Sequence, residues 1–287
     1  MPISKRKPSR ARRRTESRAD ARPPLVVGST PARAGRLTRI ELPVARLVSG
    51  SESTLPVAVL HGTKKGPTIW LSAAVHGDEL NGTQIVKRIL RRVDPTTLAG
   101  TVIAVPVVNM FGLLLQSRYM PDRRDLNRSF PGSRRGPLAS QLAHLFMTEI
   151  VSRCELGIDL HTGSDGRTNL PHIRCDTTDA KSLRYARAFG APVILHAKVR
   201  PGSLRAAAME RGARVLVYEA GEALRFDRDS IETGVAGVLR VMERLRMGSF
   251  AAPAPSVKPI RAGDSHWLRA GASGMCEVLV ILGARVK

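Results

Sequence analysis

The chain reads as an α/β protein with helices packed on a largely parallel sheet, and three observations carry that reading. Apolar runs of strand length alternate with amphipathic runs of helix length from about residue 37 to residue 247. A length of 287 residues is enough to bury a full core in one domain with a small appendage. An apolar content of 43% excludes wholesale disorder.

The elements follow in order. Residues 1–35 are rich in Arg, Pro, Gly and Ser and are expected to be a disordered basic tail. Residues 37–48 and 55–61 read as a strand pair at a sheet edge. Residues 68–75 (TIWLSAAV) read as a buried strand that turns out through His76 and Gly77. The helix expected over 79–93 places Leu80, Thr83, Val86, Ile89, Leu90 and Val93 on one face. Residues 101–108 form an apolar run of strand length. Residues 109–136 are polar, Arg-rich and too long for a mere connection, which points to function. A helix over 138–151 and a strand over 155–160 come next. Then follow a helix (179–189), a strand (193–195), a helix (204–211), a strand (214–218) and a helix (229–247). Residues 36–250 therefore make one domain. Residues 251–264 open with the Pro/Ala run AAPAPSVK and read as a linker. Residues 265–287 change to short strand-like pieces, too few to bury a core alone. They are expected to be poorly ordered in a monomer, or tied down by the main domain or by a neighbouring subunit, which leaves a homo-oligomer open.

Charge and cysteine usage bound the partners. The net charge is +22, of which residues 1–24 contribute +7, from nine Lys/Arg against Glu16 and Asp20. Such a tail could neutralise phosphates. It lacks aromatics for base stacking, however, and the whole chain is only 4% aromatic, so the reading goes against nucleic acid. No run of eighteen apolar residues appears, so no membrane-spanning helix is expected. The basic N-terminus has no apolar stretch after it and does not read as a secretory signal. Cys154, Cys175 and Cys276 are odd in number and widely separated. They point to reduced thiols, a cytoplasmic protein and no cysteine zinc site.

Chemistry concentrates in His76-Gly77-Asp78-Glu79 and Asp159-Leu160-His161. Two imidazoles and a carboxylate can supply three ligands to one Zn²⁺, with a fourth position left for catalysis. Both segments stand at the carboxyl ends of expected strands, where open α/β sheets hold their ligands. Taken singly, each residue reads first as a helix cap or a loop histidine; taken together with the residues below, they do not. A hydrolytic zinc site also needs a base, a cation for the developing oxyanion and a means of holding substrate. Arg118 and the pair Asn127-Arg128 lie in the long polar segment. Asn127 and Arg128 suit a substrate carboxylate and Arg118 could instead polarise the scissile carbonyl, with spacing leaving open which arginine takes which role. A solvated basic loop is the plain alternative. Glu219 ends the apolar run RVLVY and is the candidate general base, with Glu222 as competitor. Asp159, two residues before His161, projects to the same side of its strand and can orient that imidazole. His61, His144, His172, His196 and His266 have no such setting and read as ordinary surface or core histidines.

The stretches HGDELNG, SRYMPDRRDLNRSFPG, DLHTG and VYEAGE, in this order, resemble the succinylglutamate desuccinylase/aspartoacylase family of the zinc carboxypeptidase clan. The likeness runs from about residue 37 to residue 247. It implies a carboxypeptidase-like α/β/α sandwich with a central mixed, largely parallel sheet. The implied activity is hydrolysis of the amide in an N-acyl amino acid or related small molecule. The resemblance also implies one zinc on His76, Glu79 and His161, and Arg118 as the carbonyl-polarising cation. Asn127 and Arg128 fall on its carboxylate-binding pair, and Glu219 on its general base. Relatives of this branch commonly continue into a small biotinyl/lipoyl-like β domain that partly covers the site. Residues 267–287 look like its opening strands, an incomplete β segment.

Three rival readings compete with this one: a metallocarboxypeptidase acting on peptides, a non-enzymatic nucleic-acid-binding protein using the basic tail, and an inactive relative.

Overall fold

The computed structural model describes residues 22–46, 48–164, 166–263 and 265–286. The strands are β1 (Leu25–Val27), β2 (Thr30–Ala32), β3 (Arg36–Arg46), β4 (Glu52–His61), β5 (Lys64–Ala73) and β6 (Ala99–Val105). They continue with β7 (Leu156–Gly163), β8 (Asn169–Cys175), β9 (Val193–His196), β10 (Arg214–Glu222) and β11 (Ile260–Ala262). The helices are α1 (Asn81–Arg92), α2 (Met110–Leu114), α3 (Leu138–Glu149), α4 (Ala180–Phe189), α5 (Leu204–Glu210) and α6 (Arg228–Arg244). Among the described residues, nine strands form one sheet in the order β11-β9-β8-β10-β7-β5-β6-β4-β3. The pairs β5–β6, β5–β7, β7–β10, β8–β9 and β9–β11 are parallel, and β3–β4, β4–β6 and β8–β10 are antiparallel. The expected mixed, largely parallel sheet is present.

Side-chain parity explains why the central strands read as unbroken apolar runs. Ile69, Leu71, Val102, Ala104, Ile158, Leu216 and Tyr218 pack on one face with α1, α4 and α6. Trp70, Ile103, Val105 and Val215 pack on the other with α3 and α5. A strand covered on both faces has no polar side to show. Helices α4, α5 and α6 begin at side-chain caps. Asp179, Ser203 and Asp227 accept hydrogen bonds from the backbone N–H groups of Ser182, Ala206 and Ser230. Among the described residues no helix is long and apolar enough to cross a membrane.

Three expectations need correction. Within the basic tail expected over 1–35, β1 and β2 form an antiparallel hairpin. Tertiary contacts hold that hairpin: Gly28 N–H donates to Glu149 Oε2 at 2.8 Å and Arg153 Nε to the Val26 carbonyl at 2.9 Å. Residues 1–21 lie outside the described residues. The linker at 251–264 contains β11, which extends the main sheet beside β9. Just before it, Phe250 and Ala252 pack on the core. Finally, residues 265–286 carry no strand, and Leu268, Leu279 and Ile281 are exposed. A strand is not stable without a partner, and this apolar run is paired with none.

Candidate active site

Two neighbouring strand ends build the centre. β5 and β7 run parallel with Ala73 opposite Leu160, so the chain leaves both at one rim. After β5 it passes through Ala74 (φ +48°) and Val75 to His76. The turn that follows is tight because Gly77 lies against Gly112 of α2, where an added Cβ would stand 1.9 Å from the Gly112 carbonyl carbon. His76 and Glu79 are thereby brought together, with His76 Nδ1 2.7 Å from Glu79 Oε1. The expected helix at 79 opens two residues later, at Asn81. On β7, Ile158 and Leu160 face the core cluster of α1. Asp159 and His161 take the other face, as alternation requires. His161 Nδ1 lies 2.7 Å from Glu79 Oε2, and its Nε2 lies 2.8 Å from Asp159 Oδ2. Asp159 Oδ1 in turn accepts from Ser72 Oγ at 2.6 Å. Thr162 N–H and Ser164 Oγ also donate to Glu79, at 3.2 and 2.8 Å.

The ligand atoms of His76, Glu79 and His161 lie within 4.8 Å of one another, and all three side chains are buried. Burial alone would push both imidazole pKa values down. Glu79 and Asp125 reverse this for His76, and Asp159 and Glu79 reverse it more strongly for His161. Burial would raise Glu79, but the two histidines hold it well below the usual carboxylate range. Among the described residues His76 Nε2 is buried without a hydrogen bond, and Asp125 Oδ1 is 3.4 Å away.

The long segment after β6 delivers Arg118 to this cluster. Its Nη1 donates to Ser164 Oγ at 3.0 Å and lies 3.7 Å from Glu79 Oε1. Asp125 grips Arg118 from behind, accepting from Nε at 3.1 Å and Nη2 at 2.9 Å. Asp125 is itself held well below the usual range: burial opposes ionisation, but His76 and Arg118 outweigh it. Sequence reasoning missed Asp125; its signal was an acid set among arginines between the two candidate ligand segments. Asn127 and Arg128 sit on a short 3-10 turn, where Asn127 Oδ1 accepts from Leu204 N–H at 2.9 Å at the start of α5.

Glu219 stands opposite His161 across β10 and β7, on the face that carries Asp159. Its side chain is 13% exposed, and burial raises its pKa against the opposing pull of His161 and Arg174. Asn169 Nδ2 donates to its Oε2 at 2.9 Å. Glu222, the competitor, falls beyond a break in the strand register and faces Arg225 at 3.6 Å.

All seven sequence-predicted residues meet in one cavity of about 330 Å³, lined by His76, Glu79, His161, Arg118, Asn127, Arg128 and Glu219. Arg167, Arg174, Lys198, Arg200 and Arg205 complete a strongly cationic wall. Trp267 joins it from the C-terminal segment, its ring centroid 5.9 Å from the Arg167 guanidinium carbon. Glu222 and the other five histidines do not line this cavity.

Comparisons with known proteins show which proteins this chain resembles. An N-alpha-acetyl-L-2,4-diaminobutyric acid deacetylase from Halomonas elongata is 31% identical over 170 residues, 57% of this chain and 49% of that protein. The chain thus spans about half the length of that relative. A succinylglutamate desuccinylase/aspartoacylase structure from Rhodobacter sphaeroides shares 28% identity at a TM-score of 0.70, covering 79% of this chain and 71% of the other. The product-bound ectoine utilization protein of Ruegeria pomeroyi shares the fold at a TM-score of 0.74 and 22% identity, covering 86% and 77%. The family profile described as "Succinylglutamate desuccinylase/Aspartoacylase catalytic domain" matches residues 65–245, more than half of the chain. The chain belongs to the succinylglutamate desuccinylase/aspartoacylase family.

Proposed function

We propose that this chain is a zinc-dependent hydrolase that cleaves the amide of an N-acyl amino acid, with the metal held by His76, Glu79 and His161. One observation carries the reading: three buried nitrogen and carboxylate donors converge at two strand ends, facing a cavity that also holds Glu219 and Arg118. The donor set fits zinc. It offers two imidazoles and a carboxylate, the His161 ring is oriented through Asp159, and the open side gives onto the cavity. When bound, the ion supplies Lewis acidity to the carbonyl and to water.

The residues of the chain do the rest. Glu219 takes a proton from the attacking water and returns it to the departing amine; its burial-raised pKa suits a group that must do both. The amide C–N bond breaks, the carbonyl carbon gains the water oxygen, and a carboxylate and an amine leave. Arg118, held rigidly by Asp125, donates to the oxygen on which negative charge develops. Arg128 and Asn127 grip the carboxylate of the amino acid. The cationic wall favours an anionic substrate and draws it in. The cavity has the scale of a small-molecule site, which favours a single N-acyl amino acid over a long peptide. The acetyl-diaminobutyrate specificity of the Halomonas relative supports the same class. Three free cysteines agree with a cytoplasmic setting.

The test is a hydrolysis panel on zinc-loaded protein, using N-acetyl and N-succinyl amino acids, their methyl esters and short peptides. Turnover of free acids and its loss in the esters is expected. Release of C-terminal residues from peptides, with no action on N-acyl amino acids, would overturn the reading in favour of a carboxypeptidase.

A further inference from the structure

Glu219 immediately precedes a break in its own strand. β10 keeps step with β7 as far as Glu219 opposite His161, and with β8 as far as Glu219 opposite His172. Both ladders then slip. In an unbroken ladder Leu170 would face Gly221; instead Asn169 does. The break is fixed from below. Gly221 has φ +74°, and an added Cβ there would stand 2.6 Å from Asn81 Nδ2. Asn81 Nδ2 donates to the Ala220 carbonyl at 3.1 Å, and Asn81 Oδ1 accepts from Asp227 N–H at 2.9 Å. A bulge of this kind bends the strand and re-aims the neighbouring side chain.

The slip also brings Asn169 within reach of Glu219, and the 2.9 Å bond from its Nδ2 to Oε2 closes the gap. The nearest cation, Arg174 Nη1, stands 3.7 Å from Oε1, beyond hydrogen-bond distance. Among the described residues, Asn169 is thus the side chain that hydrogen-bonds the Glu219 carboxylate. We propose that Asn169 is a positioning residue for the hydrolysis, holding Glu219 in the one orientation from which it can exchange a proton with water. This inference rests on Glu219 being the base. Asn169 itself gains and loses no proton: the proton passes from water to Glu219 and from Glu219 to the amine nitrogen.

The test is a double-mutant cycle of the full chain, Asn169→Ala, Glu219→Gln and the pair, with kcat, KM and zinc content measured for each. Misplacing a reacting group by about 1 Å costs on the order of 100-fold. Asn169→Ala should therefore lower kcat about 10- to 100-fold while KM and zinc stay as in the parent. In the Glu219→Gln background the same change should cost less than about threefold, because no base remains to be aimed. Equal losses in both backgrounds, or a loss carried by KM, would overturn the proposal in favour of a structural or substrate-binding role. Asn169→Leu, close in volume but without the donor, should repeat the alanine result. Loss of zinc or of folding in both variants makes Asn169 structural and also overturns it. Parent-like turnover in Glu219→Gln alone would instead sink the functional reading, and this one with it.

Discussion

Substituting alanine for Gly77 should displace His76 and Glu79, two of the proposed metal ligands, without altering either. The added Cβ would lie 1.9 Å from the Gly112 carbonyl carbon and 2.2 Å from Leu113 N, all of it backbone and none able to rotate aside. Non-bonded carbons settle at about 3.5 Å, so the turn and α2 must part by about 1.6 Å. Gly77 stands between His76 and Glu79, and its N–H donates to the Ser117 carbonyl at 3.1 Å, next to Arg118. The displacement is therefore shared among His76, Glu79 and Arg118, the proposed ligands and the proposed oxyanion cation. Overpacking of this kind destabilises by about 1–3 kcal/mol. A 1 Å error at a reacting group costs on the order of 100-fold in rate. Thermal unfolding, zinc titration and kcat/KM should be measured together, with Gly271→Ala as control because nothing lies within 4 Å of its Cβ position. Gly77→Ala should melt lower, bind zinc more weakly and lose at least about 100-fold in kcat/KM, with the control unchanged. Zinc binding and kcat/KM both within threefold of the parent would show that the close approach does not set the site.

Further predictions follow from the same geometry. Glu219→Gln should keep its zinc and lose about 10²–10⁴-fold in kcat, read by steady-state kinetics with metal analysis; activity within a few-fold moves the role elsewhere. Arg118→Ala should act mainly on kcat, and Arg128→Ala mainly on KM for substrates with a free carboxylate, since only the first bond strengthens as charge develops. The same pattern in both would mean that the two roles are not separate. Removing residues 265–287 should leave the melting temperature within about 2 °C, because the described side chains there are largely exposed. Removing residues 251–287 should lower it by several degrees, because β11 and the packing of Ala252 go too.

The centre of the fold and three sides of the site are legible in the sequence for physical reasons. Central strands covered on both faces leave unbroken apolar runs, and the ligands follow at their ends. Period-two alternation alone places Asp159 and His161 on one side, and 2.8 Å separates them. The same rule sets Glu219 on the ligand face of β10. What escapes is whatever depends on long-range pairing. β8 is hidden because Pro171 interrupts a short run, and proline argues against a paired strand. Without β8 there is no reason to single out Asn169. Asp125, Ser72 and Ser164 are residue types common in loops, and only the folded chain brings them to Arg118, Asp159 and Glu79. The hairpin at 25–32 is held by Glu149 and Arg153, more than 120 residues away, so its own composition gives no sign of it.

Metal analysis of four proteins tests the central claim most directly: the parent, His76→Ala, His161→Ala and Glu219→Gln, each purified, loaded with zinc and dialysed. The parent and Glu219→Gln should each retain one zinc per chain, and the two histidine variants should retain almost none while keeping the far-ultraviolet circular dichroism of the parent. Equal zinc in the parent and in both histidine variants would contradict the assignment of His76, Glu79 and His161 as the metal centre.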